Sequence, residues 1–216
     1  MTRLILIRHG ESEANVKDIG AGQIDYPLTE LGRKQAKLAA DYLLANESID
    51  VIYSSDLQRA YDTARPIAEA LGLPIFVDQR LREMDTGKWA GITFAEREKL
   101  YPEEVRKLRE DYSHMRFPNG ESIAQVYHRM AECITEIAKN NDGKTVLIAT
   151  HAGAIRNYLA FANGYSSEEV HMIRTGGENA NIHIHEWENG KIRIELSYFN
   201  GHLGKSSRIT EEEKKV

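Results

Sequence analysis

Two short apolar runs, each ending in a basic side chain, constrain the fold of this chain more than any other feature. Leu4–Ile7 leads into Arg8 and His9, with a glycine next. Val146–Ala149 leads into a threonine and His151, again with small residues next. Unbroken apolar runs of this length are typical of strands buried on both faces of a parallel sheet. Ligands of such sheets lie at the carboxyl ends of strands, so we expect both histidines to face one crevice.

Predicted strands and helices alternate through most of the chain. Thr29 is a good N-cap for the first long helix, and Ser55 or Asp56 for the second. The predicted helices span Thr29–Ala45, Leu57–Leu71, Ser122–Lys139 and Ala152–Ala162. Besides the two apolar runs, the predicted strands span Val51–Tyr53, Ile75–Val77, Ile182–Trp187 and Ile192–Tyr198. Asn189-Gly190 predicts a hairpin between the last two strands. This order indicates an α/β fold with a mainly parallel central sheet flanked by helices.

One domain, residues 1–204, accounts for this pattern. Phe94–Glu110 is highly charged, is interrupted at Pro102, and indicates a solvated helical region. We therefore expect residues 88–120 to form a helical insertion over the active site. The charged tail, 205–216, is expected to be flexible.

Composition narrows the class of partner and compartment. The 216 residues carry a net charge of −5, which argues against a general affinity for nucleic acid or an anionic membrane. No stretch approaches the ~20 apolar residues of a membrane span. The single cysteine, Cys133, cannot form an internal disulfide. We therefore expect a soluble cytoplasmic protein that binds neither nucleic acid nor a membrane.

Two further charged residues complete a candidate pocket. Arg59 lies in the first turn of a predicted helix, where it opposes the helix dipole unless an anion is near. Glu83 follows a short apolar run and precedes a glycine loop. With Arg8, His9 and His151 they form a cationic pocket with one acid, which suits a phosphate monoester carrying roughly two negative charges. Arginine grips phosphate oxygens in pairs, and histidine can act as a covalent nucleophile.

Each of these residues also has a simpler structural interpretation, and a metal site is a further alternative. A lone histidine after a strand is more often structural, but two such strand ends with arginines favour a functional site. A metal site fits less well, because neighbouring arginines repel a cation. His183 and His185 share one strand face and are better explained as a polar strand face than as a metal pair.

Six motifs in this order resemble the histidine phosphatase superfamily, also called phosphoglycerate-mutase-like. The motifs span most of residues 3–203 and read LIRHGESEAN (6–15), PLTELGRKQA (27–36), IYSSDLQRAYDTA (52–64), LREMDTGKWAG (81–91), PNGES (118–122) and VLIATHAGAIR (146–156). The resemblance implies that His9 becomes phosphohistidine and that Arg8, Arg59 and His151 bind the phosphoryl group. Glu83 would protonate the leaving oxygen and then activate water.

The resemblance also has implications for the residues that line the substrate, for cofactors and metals, and for the oligomeric state. Asn15, Gly22 and Gln23 would line the substrate, and Ala152 is a further candidate because small residues after His151 let a ligand approach the backbone. No cofactor and no metal are implied, and a homodimer is plausible.

Two kinds of enzyme compete within the family. Similar mutases carry Arg-His-Tyr-Gly after the acid and an Arg-Arg pair in a longer insertion, whereas this chain reads Met84-Asp85-Thr86-Gly87. The chain therefore resembles broad-specificity and alpha-ribazole phosphatases, with a phosphoglycerate mutase or a non-catalytic phosphate-binding regulator as alternatives. The loop Gly22-Gln23-Ile24-Asp25 lacks the tryptophan of the similar Gly-Trp-x-Asp loop, so the sequence leaves the substrate open.

Overall fold

A six-stranded sheet runs through the computed structural model, which describes residues 1–204. The tail predicted over 205–216 lies outside the described residues. The strands are β1 (Thr2–Arg8), β2 (Val51–Ser54), β3 (Ile75–Val77), β4 (Thr145–Thr150), β5 (Ile182–Glu188) and β6 (Lys191–Phe199). Their order is β3-β2-β4-β1-β5-β6, parallel from β3 to β1 and antiparallel at β5 and β6. The predicted α/β fold with a mainly parallel sheet is confirmed.

Helices cover both faces of this sheet. Within residues 1–204 they are α1 (Glu13–Val16), α2 (Glu30–Asn46), α3 (Gln58–Leu71), α4 (Phe94–Leu100), α5 (Pro102–Glu110), α6 (Ile123–Asn140) and α7 (Ala152–Ala162). On one face α2 and α3 pack Leu43 and Ile67 against Ile5. On the other, α6 and α7 pack Met130 and Tyr158 against the opposite side of the sheet. Because successive strand side chains alternate in direction, the central strands are apolar on both faces, as the unbroken runs predicted.

The N-caps of two helices test the local predictions. Thr29 Oγ1 accepts a hydrogen bond from the Gly32 amide at 3.0 Å, so the predicted cap of α2 is confirmed. The predicted cap of α3 by Ser55 or Asp56 is wrong. The Asp25 carboxylate, distant in sequence, accepts from the Gln58 amide at 2.9 Å instead. Ser55 Oγ accepts from the Leu57 amide, which precedes the first residue of α3, and also bonds a histidine, while Asp56 bonds an arginine.

Residues 88–120 pack around a fully buried tryptophan, Trp89. Its ring meets Phe117 edge-on at 5.5 Å and Tyr101 at 6.1 Å. Met115 and Phe117 are core residues of the same cluster, which joins this region to α6 through Tyr127. Core packing therefore accounts for most of the aromatic residues in this segment.

The hairpin between β5 and β6 turns at Asn189 and Gly190, both with positive φ, as a type I′ turn requires. The histidines of β5 depart from the sequence interpretation. His183 and His185 are fully buried, His185 bonding the Tyr158 hydroxyl at 3.0 Å and His183 lying against Tyr198. They do not form a polar surface, because α7 covers their face of the sheet.

Two further features of residues 1–204 bear on metal binding and on membrane insertion. Across that range, no cluster of three or more histidine, cysteine or acidic side chains is arranged to hold a metal ion. In the same range, every helix is too short or too polar to cross a lipid bilayer.

Candidate active site

The two histidines predicted from the strand ends lie side by side. β1 and β4 are hydrogen-bonded neighbours with Arg8 opposite Thr150, so the residues that follow each strand emerge at the same edge. The ring centroids of His9 and His151 are 5.2 Å apart. Parallel pairing of the two apolar runs thus brings together side chains 142 positions apart in the sequence.

The imidazole of His9 is held in one tautomer by its own neighbour. Its Nδ1 lies 2.7 Å from the Gly10 carbonyl oxygen, which can only accept, so Nδ1 carries the proton. The other nitrogen, Nε2, therefore carries a lone pair. Burial, reinforced by Arg59 and Arg8, lowers the pKa of His9 well below 6.5. The ring is therefore neutral at pH 7, with Nε2 unprotonated.

Two guanidinium groups lie beside this ring. Arg59 donates to the carbonyls of Gly22 and Ile24, both at 2.8 Å, and Arg8 donates to the Gly177 carbonyl at 2.6 Å. The Nε atoms of both arginines are buried and make no hydrogen bond. Burial lowers the pKa of both groups, and the charge of the nearby Glu83 carboxylate acts in the opposite direction. Neither guanidinium forms an ion pair in the part of the chain that the structure describes. Two neighbouring cations that form no ion pair suit a dianionic ligand.

His151 is positioned by a serine at the end of β2. Its Nε2 lies 2.9 Å from Ser55 Oγ, which also accepts the Leu57 amide proton at 3.2 Å. Its Nδ1 is buried and makes no hydrogen bond. Burial, then the charge of Arg59, lowers the pKa of His151 well below 6.5. The ring is neutral, and its unpartnered Nδ1 is available to an anion if Ser55 donates to Nε2.

The acid of the site lies on the N-terminus of α7. Glu83 Oε2 accepts from the Gly153 amide at 3.1 Å, and Oε1 accepts from the amides of Ala154 and Met84 at 3.1 and 2.9 Å. Free amides at a helix N-terminus favour a carboxylate. A Cβ on Gly153 would lie 2.4 Å from Glu83 Oε1, so the glycine after His151 makes room for the acid.

The predicted substrate-side residues lie around this pocket. Asn15 Oδ1 accepts from the Ser12 amide at 2.9 Å and closes the cap of α1. The Gln23 amide donates to the Glu83 carbonyl at 3.1 Å, and the Gly22 carbonyl holds Arg59. Ala152 is the first residue of α7. The loop of Gly22 and Gln23 is therefore bonded to Arg59 and Glu83, whereas Asn15 is held by the cap of α1.

Gly10 has a different role from the one expected for a small residue at a ligand site. A Cβ there would lie 2.4 Å from the carbonyl oxygen of Gly32 in α2, and a Cβ on Gly32 would lie 1.9 Å from the carbonyl oxygen of Glu11. The two glycines let α2 approach the end of β1. Room for the helix backbone, rather than room for a ligand, is what requires Gly10.

Two parts of the site were missed by sequence reasoning. Asn179 donates to the His9 carbonyl at 3.1 Å and to Asn15 Oδ1 at 3.2 Å. It lies in an irregular loop before β5, with no spacing that could have pointed to it. Arg129 binds the segment around Glu83 from α6. An arginine within an amphipathic helix was the only signal available there.

The sequence model of the histidine phosphatase superfamily, branch 1, matches residues 4–200. The chain belongs to this superfamily. The predicted family, and with it an enzyme of the histidine phosphatase type, is confirmed.

Similar proteins are themselves phosphatases. Phosphoserine phosphatase 1 of Hydrogenobacter thermophilus is 37% identical over 94% of this chain and 95% of its own length. The solved structure of a mycobacterial glucosyl-3-phosphoglycerate phosphatase is 31% identical, has a TM-score of 0.84, and covers 92% of this chain and 99% of that chain. The alpha-ribazole phosphatase of Shigella flexneri is 26% identical, with a TM-score of 0.81 over 91% of this chain and 96% of that chain. These relatives favour the phosphatase over the mutase and over a non-catalytic regulator.

Proposed function

We propose that this histidine phosphatase hydrolyses small phosphomonoesters in two steps, through a phosphohistidine on His9 and without a metal. One observation carries the proposal. The neutral His9 ring keeps an Nε2 lone pair beside buried donors of Arg8, Arg59 and His151 that have no partner. A nucleophile and a ready-made set of phosphate donors thus meet at one point.

In the first step His9 Nε2 attacks phosphorus as the bond to the ester oxygen breaks. The two guanidiniums and His151 Nδ1 donate to the equatorial oxygens, where charge develops. The negative charge of the bound phosphate favours the protonated form of Glu83, which gives its proton to the leaving oxygen. In the second step the Glu83 carboxylate takes a proton from water, which attacks phosphorus. The phosphorus–nitrogen bond breaks, and His9 returns to its neutral form.

Two fixed guanidiniums supply the charge that a metal ion supplies in other phosphatases. We therefore expect full turnover in EDTA. A rate that depends on an added divalent cation would contradict this part of the proposal.

The substrate class is a small phosphorylated metabolite, as the names of the similar phosphatases suggest. We propose that residues 88–120 form an insertion over the leaving-group side of the pocket. Tyr112 supports this, because its hydroxyl lies 3.7 Å from the sulfur of Met84, next to the acid. The Arg156 guanidinium stacks 3.5 Å over the Tyr112 ring centre. Phosphoserine, phosphoglycerates, glucosyl-3-phosphoglycerate and alpha-ribazole phosphate form the panel to assay.

Replacement of the nucleophile is the decisive test. His9→Ala should slow hydrolysis of p-nitrophenyl phosphate by at least about a thousandfold, because no other group supplies the covalent step. It should also abolish the acid-labile, alkali-stable phosphoryl label that rapid quenching traps on the wild type. His114→Ala, at an exposed histidine, is the matched control. Wild-type-like turnover in His9→Ala would exclude the phosphohistidine.

The proposal also includes a cellular location and an oligomeric state. A cytoplasmic location is supported by the buried, unpaired Cys133. A homodimer, implied by the family resemblance, is open to sedimentation analysis. Conversion of 3- to 2-phosphoglycerate that requires 2,3-bisphosphoglycerate would instead support the mutase.

A further inference from the structure

One guanidinium contacts most of the backbone carbonyls in the segment that leads to Glu83. Arg129 of α6 donates to the carbonyls of Arg80 and Arg82 at 2.8 and 2.9 Å through one terminal nitrogen. Through the other it donates to the carbonyl of Glu83 itself at 3.1 Å. Three of the four carbonyls from residue 80 to residue 83 therefore accept from one side chain.

A carboxylate completes this arrangement and extends it past the acid. Glu121 Oε1 accepts from Arg129 Nε at 2.6 Å, and Glu121 Oε2 accepts from Arg129 Nη2 at 2.9 Å. The same second oxygen accepts the Asp85 amide proton at 2.8 Å. The segment is thus held before Glu83 by Arg129 and after it by Glu121.

All five N–H groups of the Arg129 guanidinium are used by these contacts. The side chains of Arg129 and Glu121 are only 18% and 20% exposed. A lysine offers three donors from one point and cannot replace this planar set. The pair is more specific than a surface salt bridge, because each partner is oriented by backbone groups on both sides of the acid.

We propose that the Glu121–Arg129 pair is a positioning device for Glu83, which sets the acid at the distance that protonation of the leaving oxygen requires. This proposal rests on the proposed role of Glu83 in catalysis. A proton donor acts only within hydrogen-bond reach, and a displacement of about 1 Å can cost about a hundredfold in rate. The hydrogen bonds of Arg129 and Glu121 described above all go to the segment around Glu83 or join the pair, and none goes to Arg8, His9, Arg59 or His151. The charge of Arg129 also lowers the pKa of His151, and Arg129→Lys keeps that charge while it removes the planar set of donors.

Leaving-group dependence separates this role from a purely structural one. Aryl phosphates need little protonation as they leave, whereas alkyl phosphates need much. In Arg129→Lys, kcat should fall at least about tenfold for glycerol 2-phosphate and less than about threefold for p-nitrophenyl phosphate, with KM nearly unchanged for both. Arg193→Met removes an exposed Arg–Glu pair on the β5–β6 hairpin and should leave both rates unchanged.

Glu83→Gln serves as the reference in the same assays. It should show the same selective loss, larger than that of Arg129→Lys. If Glu83→Gln slows both substrates equally, the acid role in the proposed function is wrong. If Glu83→Gln is selective but Arg129→Lys slows both substrates equally, or neither, the positioning role is overturned.

Glu121→Gln keeps the size of the partner and removes its charge. It should show the selective loss in milder form, about threefold, with a thermal midpoint close to that of the wild type. This variant decides the question if Arg129→Lys fails to fold. An unselective effect of Glu121→Gln would then overturn the proposal.

Discussion

His9 owes its state to the residue that follows it. The Gly10 carbonyl fixes the proton on Nδ1, and burial beside two arginines keeps a second proton off the ring. The hydrogen bond and the low pKa act together, since the first selects the tautomer and the second the charge. The tautomer is set by the backbone direction at the end of β1, whereas the charge is set by the burial of the ring and by Arg59, which comes from α3.

A histidine titration tests this directly. We expect His9 to remain a neutral Nδ1–H tautomer while the pH falls through 6.5, because burial lowers its pKa. The exposed His114 should gain a proton above pH 6.5, because its hydrogen bond to Asp111 raises its pKa. Long-range ¹H–¹⁵N spectra of the side chains would follow both rings. A His9 ring that is protonated at pH 6, or protonated at Nε2, would contradict the proposed nucleophile.

The sequence predicted the site residues that lie at the end of a clearly marked strand. Arg8, His9 and His151 each follow a buried strand, so fold and position were predicted together. Arg129 and Asn179 reach the site from a helix face and an irregular loop, and only the folded backbone brings them there. Gly10 is required by the approach of α2, a distant element, which the residues around the glycine do not indicate.

At the level of elements, α7 and the acid depend on each other. Glu83 supplies the acceptor for amides at the start of α7, and Gly153 leaves the space for that carboxylate. The helix cap therefore comes from a segment some 70 residues earlier in the chain. Capping by a distant carboxylate also occurs at α3, where Asp25 takes the place of the local candidates.

Gly153→Ala should separate activity from helix stability. Alanine is the better helix former by about 1 kcal/mol, but its Cβ would displace Glu83 Oε1. We expect kcat for an alkyl phosphate to fall at least about tenfold, without a matching loss of far-UV helical signal. Asn163→Ala, at the other end of α7, should keep full activity. Normal turnover in Gly153→Ala would mean that the acid does not need its place on the helix.

For the whole molecule, buried neutral histidines make stability sensitive to acid. Burial lowers the pKa of His183 to about 4 and that of His185 to about 3. In the unfolded chain both rings take up protons near pH 6.5. Because the unfolded state then binds more protons, stability falls as the pH drops below 6.5.

Urea unfolding at two pH values measures this loss. Each such histidine should cost about 1 kcal/mol of unfolding free energy between pH 6.5 and 5.5. His185→Leu should reduce the pH dependence by about that amount, and His128→Ala, at an exposed ring, should not change it. Equal pH dependence in the wild type and His185→Leu would show that the ring is protonated in the folded protein.

The sheet order explains why the fold was more predictable than the wall of the pocket. The adjacent strands β2, β4 and β1 are each marked by an apolar run, and their carboxyl ends bring Ser55, His151 and Arg8 together. The segment from Glu83 to Tyr112 is placed by side chains of α6 and by packing on Trp89. Contacts between this segment and α6 leave no periodic pattern of apolar residues, so a single sequence does not reveal them.

The two halves of the proposed reaction are carried by separate parts of the chain. The phosphoryl site belongs to the ends of central strands, whereas the acid is attached through Arg129 and Glu121, which lie behind it. Substitutions in the acid segment or its supports can therefore alter which alcohols leave readily while the central strands stay unchanged. Such a chain can diverge toward new metabolites in small steps without first losing its capacity to accept a phosphoryl group.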